Sequence, residues 1–377
     1  MRNVKQEREK MIKIWTPGLI GEDHASFKDY TFQEIDFRAY EIDWSKHEIS
    51  NTTFLGCSLR EEDEVALIRR GAFIFKAPKQ LPYNPFRKDL YNYQELMDGY
   101  SSEADNSRDL LIYEHFSETR NNPTISEALW QRIHDHAIDS ALRKLIEIDE
   151  RGMTSRKCVG IMGGHATKRT DEFYLKTAQT AKFLAENDYF VVSGGGPGIM
   201  EAANLGAYFA GKSDTDFMEA FGILQRAPHY TDEGYHRSAY EVLEQFPDGG
   251  ESLAIPTWFY GHEPSNLFST YVAKYFSNSI REDTLLAISL YGIVCAPGSA
   301  GTTQEIFMDA TQNHYCTYDY YSPMIFLGKK RYEIDTLIYP LLRQLAYGQD
   351  YFDLLFCSDS PEAILQFLEA HPPRQAS

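Results

Sequence analysis

The chain has 377 residues, with 55 acidic against 37 basic side chains, a formal charge of −18 and five cysteines. That charge argues against a general electrostatic grip on nucleic acid or on an anionic membrane, so the expected partner is a small molecule. Any phosphate must then be held by local devices such as helix N-termini and a few placed arginines. Cys57, Cys158, Cys295, Cys316 and Cys357 are odd in number and form no Cys-x-x-Cys pair, which argues against a disulfide framework or a zinc site and fits a reducing compartment. A charged N-terminus and the lack of a run of roughly 18 apolar residues lead us to expect a cytoplasmic protein.

The length predicts two domains. The first 80 or so residues mix short alternating stretches with turns, as in the segment from Phe32 to Ile42, and read as short strands more than helix. Residues 81–121 are rich in Pro, Asn, Tyr, Asp and Ser and predict an irregular connection. Thr124-Ile125-Ser126-Glu127 has capping-box spacing, and Leu129, Ile133, Ala137, Ala141 and Leu145 mark a helix to about residue 149. His134 and His136 on that helix lie two apart, so their rings face different ways and cannot form a zinc pair.

From Lys157 onward, short apolar runs alternate with Gly-rich turns and amphipathic helices, the form of βαβ units around a parallel sheet. The expected strands are Cys158 to Met162, Tyr189 to Ser193, Tyr291 to Ala296, Met324 to Leu327 and Leu354 to Phe356. The expected helices run from about Asp171, through Met200, after Thr302, near Leu337 and from Ser360-Pro361-Glu362. The fold class expected is therefore α/β, a doubly wound, mostly parallel Rossmann-like sheet over residues 156–377. An N-terminal accessory α+β domain over 1–122 and a linking helix over 123–155 precede it.

Two turns carry the chemistry. Gly194-Gly195-Gly196-Pro197-Gly198 and Pro297-Gly298-Ser299-Ala300-Gly301-Thr302 each follow a buried strand and open a helix. Glycines there let the backbone approach a phosphate, and the helix end offers unpaired N–H groups and a positive dipole. Neither turn matches a dinucleotide fingerprint or a P-loop, and either alone reads equally as a structural turn. Both at strand C-termini of one sheet point to a ligand, because open α/β sheets bind there. Thr302 and Thr303 add hydroxyl donors.

Ser193 to Ala203 together with Pro297-Gly298-x-x-Gly301-Thr302-x-x-Glu305 resembles the Lonely Guy (LOG) family, Rossmann proteins many of which were once labelled lysine decarboxylases. Its usual forms are G-G-G-x-x-G-x-M and P-G-G-x-G-T-x-x-E, and here Ser299 stands at the second glycine of the latter. Gly163-Gly164-His165, Glu263-Pro264-Ser265-Asn266 and the N-terminal domain resemble in particular the pyrimidine/purine nucleotide 5′-monophosphate nucleosidases. The resemblance covers roughly residues 156–370. It implies hydrolysis of a nucleoside 5′-monophosphate to base and ribose 5-phosphate without cofactor, by a homo-oligomer.

By that resemblance Glu305 and Arg281 are catalytic. A carboxylate near the anomeric carbon stabilises a cation-like sugar and activates water, and a guanidinium pairs with phosphate or orients the carboxylate. The plain alternatives are a first-turn helix acid and an exposed helix arginine. Gly164, Gly195, Gly196, Gly198, Gly298, Ser299, Gly301, Thr302 and Thr303 are expected to hold phosphate and sugar. His165 either contacts the ligand or caps a turn, Asn266 either touches ligand or fixes a turn, and Met200 packs or flanks the base. A nucleotide-binding sensor without turnover is the second reading.

Overall fold

In the computed structural model, residues 12–14, 26–76, 78, 80–101, 105–149 and 152–376 are described. The chain divides into two compact units, Met1–Arg87 and Lys88–Ser377.

In the first unit, β1 (Ile12–Ile14), β2 (Tyr30–Gln33), β3 (Thr53–Leu55) and β4 (Phe73–Phe75) form a parallel sheet in sequence order, with α1 (Glu61–Arg69) between the last two. Ser26, Phe32 and Asp36 pair with Glu48, Phe54 and Ser58, so one register runs along successive turns of chain. Phe32 therefore stacks on Phe54 with ring centroids 5.0 Å apart, inside a core that includes Phe27, Phe37 and Trp44. The stretch Phe32 to Ile42 is strand only to Gln33. Glu34 takes φ 52 and Phe37–Ala39 forms a 3-10 turn capped by Asp36, because the chain must turn a corner to bury Ile35 and Phe37.

The second unit opens with α2 (Tyr93–Leu96), α3 (Arg108–Thr119) and α4 (Ile125–Ile146). Residues 81–121 are thus irregular only in part: outside α2 and α3 the described residues form turns and coil, as their composition predicts, but α3 is a regular helix. Ser107 Oγ caps α3 by accepting from Leu110 N at 3.2 Å, and Ile112 and Phe116, one turn apart, are buried. Thr124 caps α4 as expected, accepting from Glu127 N at 3.2 Å.

The remainder alternates β5 (Lys157–Met162), α5 (Glu172–Glu186), β6 (Tyr189–Ser193), α6 (Ile199–Tyr208), α7 (Asp214–Leu224), α8 (Tyr235–Gln245), β7 (Leu253–Ala254) and β8 (Tyr271–Val272). Then follow α9 (Asn278–Ile288), β9 (Ile293–Cys295), α10 (Ala300–Tyr315), β10 (Tyr320–Tyr321), β11 (Met324–Leu327), α11 (Ile338–Leu345), β12 (Leu355–Ser358), α12 (Pro361–Ala370) and β13 (Arg374–Gln375). Seven strands form one parallel sheet in the order β12-β11-β9-β5-β6-β7-β8, while β10 and β13 pair separately. Val159, Ile161, Val191, Val294 and Ile325 are fully buried, as strands covered on both faces must be.

This is the doubly wound α/β fold. The chain runs from β5 to β6 on one side and returns to β9 on the other, so the order reverses at β5. At such a switch point the loops leaving adjacent strands part and open a crevice at the carboxyl ends. Among the described residues no helix is long and apolar enough to cross a membrane.

Candidate active site

Three loops leave β5, β6 and β9 at the switch point, and backbone hydrogen bonds lace them together. Gly164 N donates to Pro297 O at 3.0 Å, and Ile199 N donates to Gly164 O at 3.1 Å. Gly198 makes the second bond possible. Its φ of 68 and ψ of −128 suit only glycine, and a Cβ there would stand 2.4 Å from Gly164 O. Neither α6, which starts after Gly198, nor α10, which starts after Ser299, has a side-chain cap. Two helix N-termini without side-chain caps thus open beside the crevice, the first N–H of α6 being already given to Gly164 O.

Arg281 on α9 and Glu305 on α10 meet there, Nη1 lying 3.3 Å from Oε1. Arg281 is only 7% exposed, and all three guanidinium nitrogens are committed. Besides Glu305, Nε donates to Ile255 O at 2.7 Å and Nη2 to Gly194 O at 3.2 Å. The arginine therefore ties the loop after β6 to the segment after β7 and to the acid. Burial pushes the Glu305 carboxyl above the usual carboxylate range; Arg281 opposes the shift and Glu282 adds to it.

A cleft of about 120 Å³ surrounds the pair. Of the residues expected at the site, Gly164, His165, Met200, Arg281, Ser299, Gly301, Thr302 and Glu305 line it. Gly195 and Gly196 face an adjoining small cavity instead. Gly198 and Gly298 do not line the cleft; a Cβ at Gly298 would collide with the Thr302 side chain and stand 3.0 Å from Gly164 N. Thr303 is half-buried and turns its hydroxyl back to Ser299 O at 3.0 Å. Asn266 is buried and lines the adjoining small cavity, not the cleft; its amide donates to Met200 O at 3.3 Å and Asn204 Oδ1 at 2.8 Å, fixing the loop. His165 is exposed, its ring 6.0 Å from that of Tyr230.

Tyr260 and Glu282 also line the cleft and were not singled out by the sequence. Glu263 closes one wall, its carboxylate and the Met200 methyl lying where a side chain on Gly196 would stand, at 2.6 and 2.7 Å. The loop bearing Tyr260 and Glu263 is held by a buried acid on α3. Asp109 accepts from Trp258 Nε1 at 2.7 Å and Ser265 Oγ at 2.7 Å, with Lys274 Nζ 2.7 Å from its Oδ1. Burial alone would raise this carboxyl, but Lys274 and the hydrogen bonds from Lys274 and Ser265 hold it below its ordinary value. No signal in the sequence pairs Asp109 with residues so distant. Among the described residues no group of three or more His, Cys, Asp or Glu side chains is placed to hold a metal ion.

Residues 156–214, which span β5, α5, β6 and α6, match the family model described as LDcluster4, the SLOG cluster4 family. Over that segment the chain is similar to the SLOG cluster4 family. The match ends within the first half of the sheet domain and does not reach Arg281 or Glu305. No curated protein matches the chain significantly. Among solved structures, the molybdenum cofactor binding protein from the phototrophic bacterium Rippkaea orientalis aligns with 57% of this chain and 96% of its own, at 15% identity and a TM-score of 0.36. The molybdenum cofactor carrier protein from Chlamydomonas reinhardtii aligns with 57% and 99%, at 14% identity and a TM-score of 0.36.

Proposed function

We propose that the sheet domain hydrolyses the N-glycosidic bond of a nucleoside 5′-monophosphate, giving the free base and ribose 5-phosphate. The observation that carries the reading is the buried Arg281–Glu305 pair beside two uncapped helix N-termini. In this reading the N–H groups of α6 and α10 receive the phosphate, with Thr302 beside them. The sugar then lies against Glu305. As the C1′–N bond breaks, its electron pair leaves with the base and positive charge grows on the sugar, where a carboxylate is most favourable. One water adds to C1′. Its proton passes to Glu305 and on to the leaving nitrogen, a relay suited by a carboxyl that burial holds above its ordinary value. The reaction consumes only water, takes place in the cytoplasm and needs no cofactor, and the active form is a homo-oligomer.

The test is incubation with purine and pyrimidine monophosphates in water enriched in oxygen-18. The label is expected at the anomeric hydroxyl of ribose 5-phosphate, in amount equal to the base released. Absence of free base with every nucleotide would refute hydrolysis.

One observation favours a second reading. Each guanidinium nitrogen of Arg281 donates to a protein acceptor, an arrangement equally suited to a rigid nucleotide sensor without turnover. Calorimetric binding of a monophosphate with no base released would decide for the sensor.

A further inference from the structure

The cleft of about 120 Å³ is smaller than the roughly 300–1,000 Å³ usual for sites that enclose a small ligand. Beside it lies a second cavity of about 460 Å³. The two share Tyr260 and Glu282 as a wall, and together they come into the usual range. None of the glycine loops lines the second cavity. A nucleotide with its phosphate at those loops and its glycosidic bond at Glu305 has one part left, the base, and one way on, past Tyr260.

The side cavity has the chemistry of a base site with a charge requirement. Phe259 and Tyr260, 44% and 66% exposed, line it together with the buried Phe276. Its two acids are already engaged. Asp135 accepts from the backbone N–H groups of Phe276 and Ser277 at 2.9 and 3.0 Å, and Glu282 accepts from Gln304 Nε2 at 2.8 Å. Its two arginines are less so. Arg120 spends one nitrogen on Phe259 O at 2.9 Å, and Arg132 makes no hydrogen bond or ion pair among the described residues. In a chain of charge −18, two exposed arginines with donors to spare beside a catalytic cleft single out an anion.

We infer that the base leaving this site is an aromatic ring bearing a carboxylate, which Arg120 and Arg132 hold in the side cavity. The inference rests on the nucleosidase reading for the direction in which the nucleotide lies. A carboxylated leaving group has a second advantage, since the arginines stabilise the departing base more as it gains the electron pair of the broken C1′–N bond.

Orotidine and uridine 5′-monophosphates differ by one carboxylate and make the test. The intact protein is expected to cleave the orotidine nucleotide with kcat/KM about two- to fivefold above that for the uridine nucleotide, the range for exposed charge pairs. In the double variant Arg120→Gln/Arg132→Gln that ratio should fall to near one. Equal kcat/KM in the parent, or a preference that survives the double substitution, overturns the inference and leaves the nucleosidase reading standing. If neither nucleotide is cleaved, it is the nucleosidase reading that fails. Calorimetric affinities of the same two nucleotides then decide the inference, supported by tighter orotidine binding lost in the double variant and overturned by equal binding.

Discussion

Asp109 on α3 and Lys274, just after β8, form an ion pair in which both side chains are at least 95% buried. Through Trp258 and Ser265 the same carboxylate clamps the loop that walls the cleft. Removing one partner of such a pair strands the other charge, at a cost of about 3–5 kcal/mol. Asp109→Ala is therefore expected to lower the unfolding free energy by that amount in urea denaturation. Because the folded-state carboxyl lies below its ordinary value, its stabilisation is present above the ordinary carboxylate range and lost as pH falls through the folded value. Asp109→Asn should flatten that acid limb of the stability profile.

Gly198→Ala sets a Cβ against Gly164 O in a backbone conformation that L side chains rarely adopt. Either the loops after β5 and β6 part or the backbone strains, at about 1–3 kcal/mol. A lower melting temperature together with weaker nucleotide binding by calorimetry is expected. Unchanged values for both would show that the lacing of these loops does not shape the site.

Arg281→Lys keeps the charge but cannot reach Ile255 O, Gly194 O and Glu305 together, because a lysine has one nitrogen where the guanidinium has three. Turnover is expected to fall by about a hundredfold or more, the scale of losing a preorganised electrostatic contact. Steady-state kinetics alongside a melting curve separate this from unfolding.

Asp309, one turn beyond Glu305 on α10, is buried, and its Oδ2 has no hydrogen-bond partner among the described residues. Burial raises its carboxyl well above the ordinary value. The sign is opposite to that of Asp109: the folded state retains a proton that the unfolded chain releases, so stability falls as pH rises from the ordinary carboxylate value toward the folded one. Asp309→Asn removes that titration and should raise the unfolding free energy at pH 8 relative to the parent while leaving it little changed at acid pH. Its stability profile should be flatter than the parent's across neutral pH.

The parts of the fold that the sequence makes legible are those buried on both faces. Tyr189–Ser193 and Met324–Leu327 read as continuous apolar runs because no side of a covered parallel strand faces water. The α12 start is equally plain, Ser360 capping and Pro361 following at the first helical position. Residues 209–290 yield little, since β7 and β8 are two residues each, too short for any period to show. α3 hides among polar residues because one of its inward positions is Asp109, whose partners lie far along the chain. Arg281 reads equally well as a surface residue within Asn278-Ser279-Ile280-Arg281-Glu282-Asp283. Only the tertiary arrangement brings the carbonyls of Ile255 and Gly194 to it.

The most direct test of the central claim compares Glu305→Gln with the parent by chromatography of free base and ribose 5-phosphate from a panel of monophosphates. Glutamine preserves the shape and removes the charge and the proton relay, so release is expected to fall at least about a hundredfold in a variant that a melting curve shows to be folded at the assay temperature. Release at the parental rate would remove Glu305 from the chemistry and contradict the account.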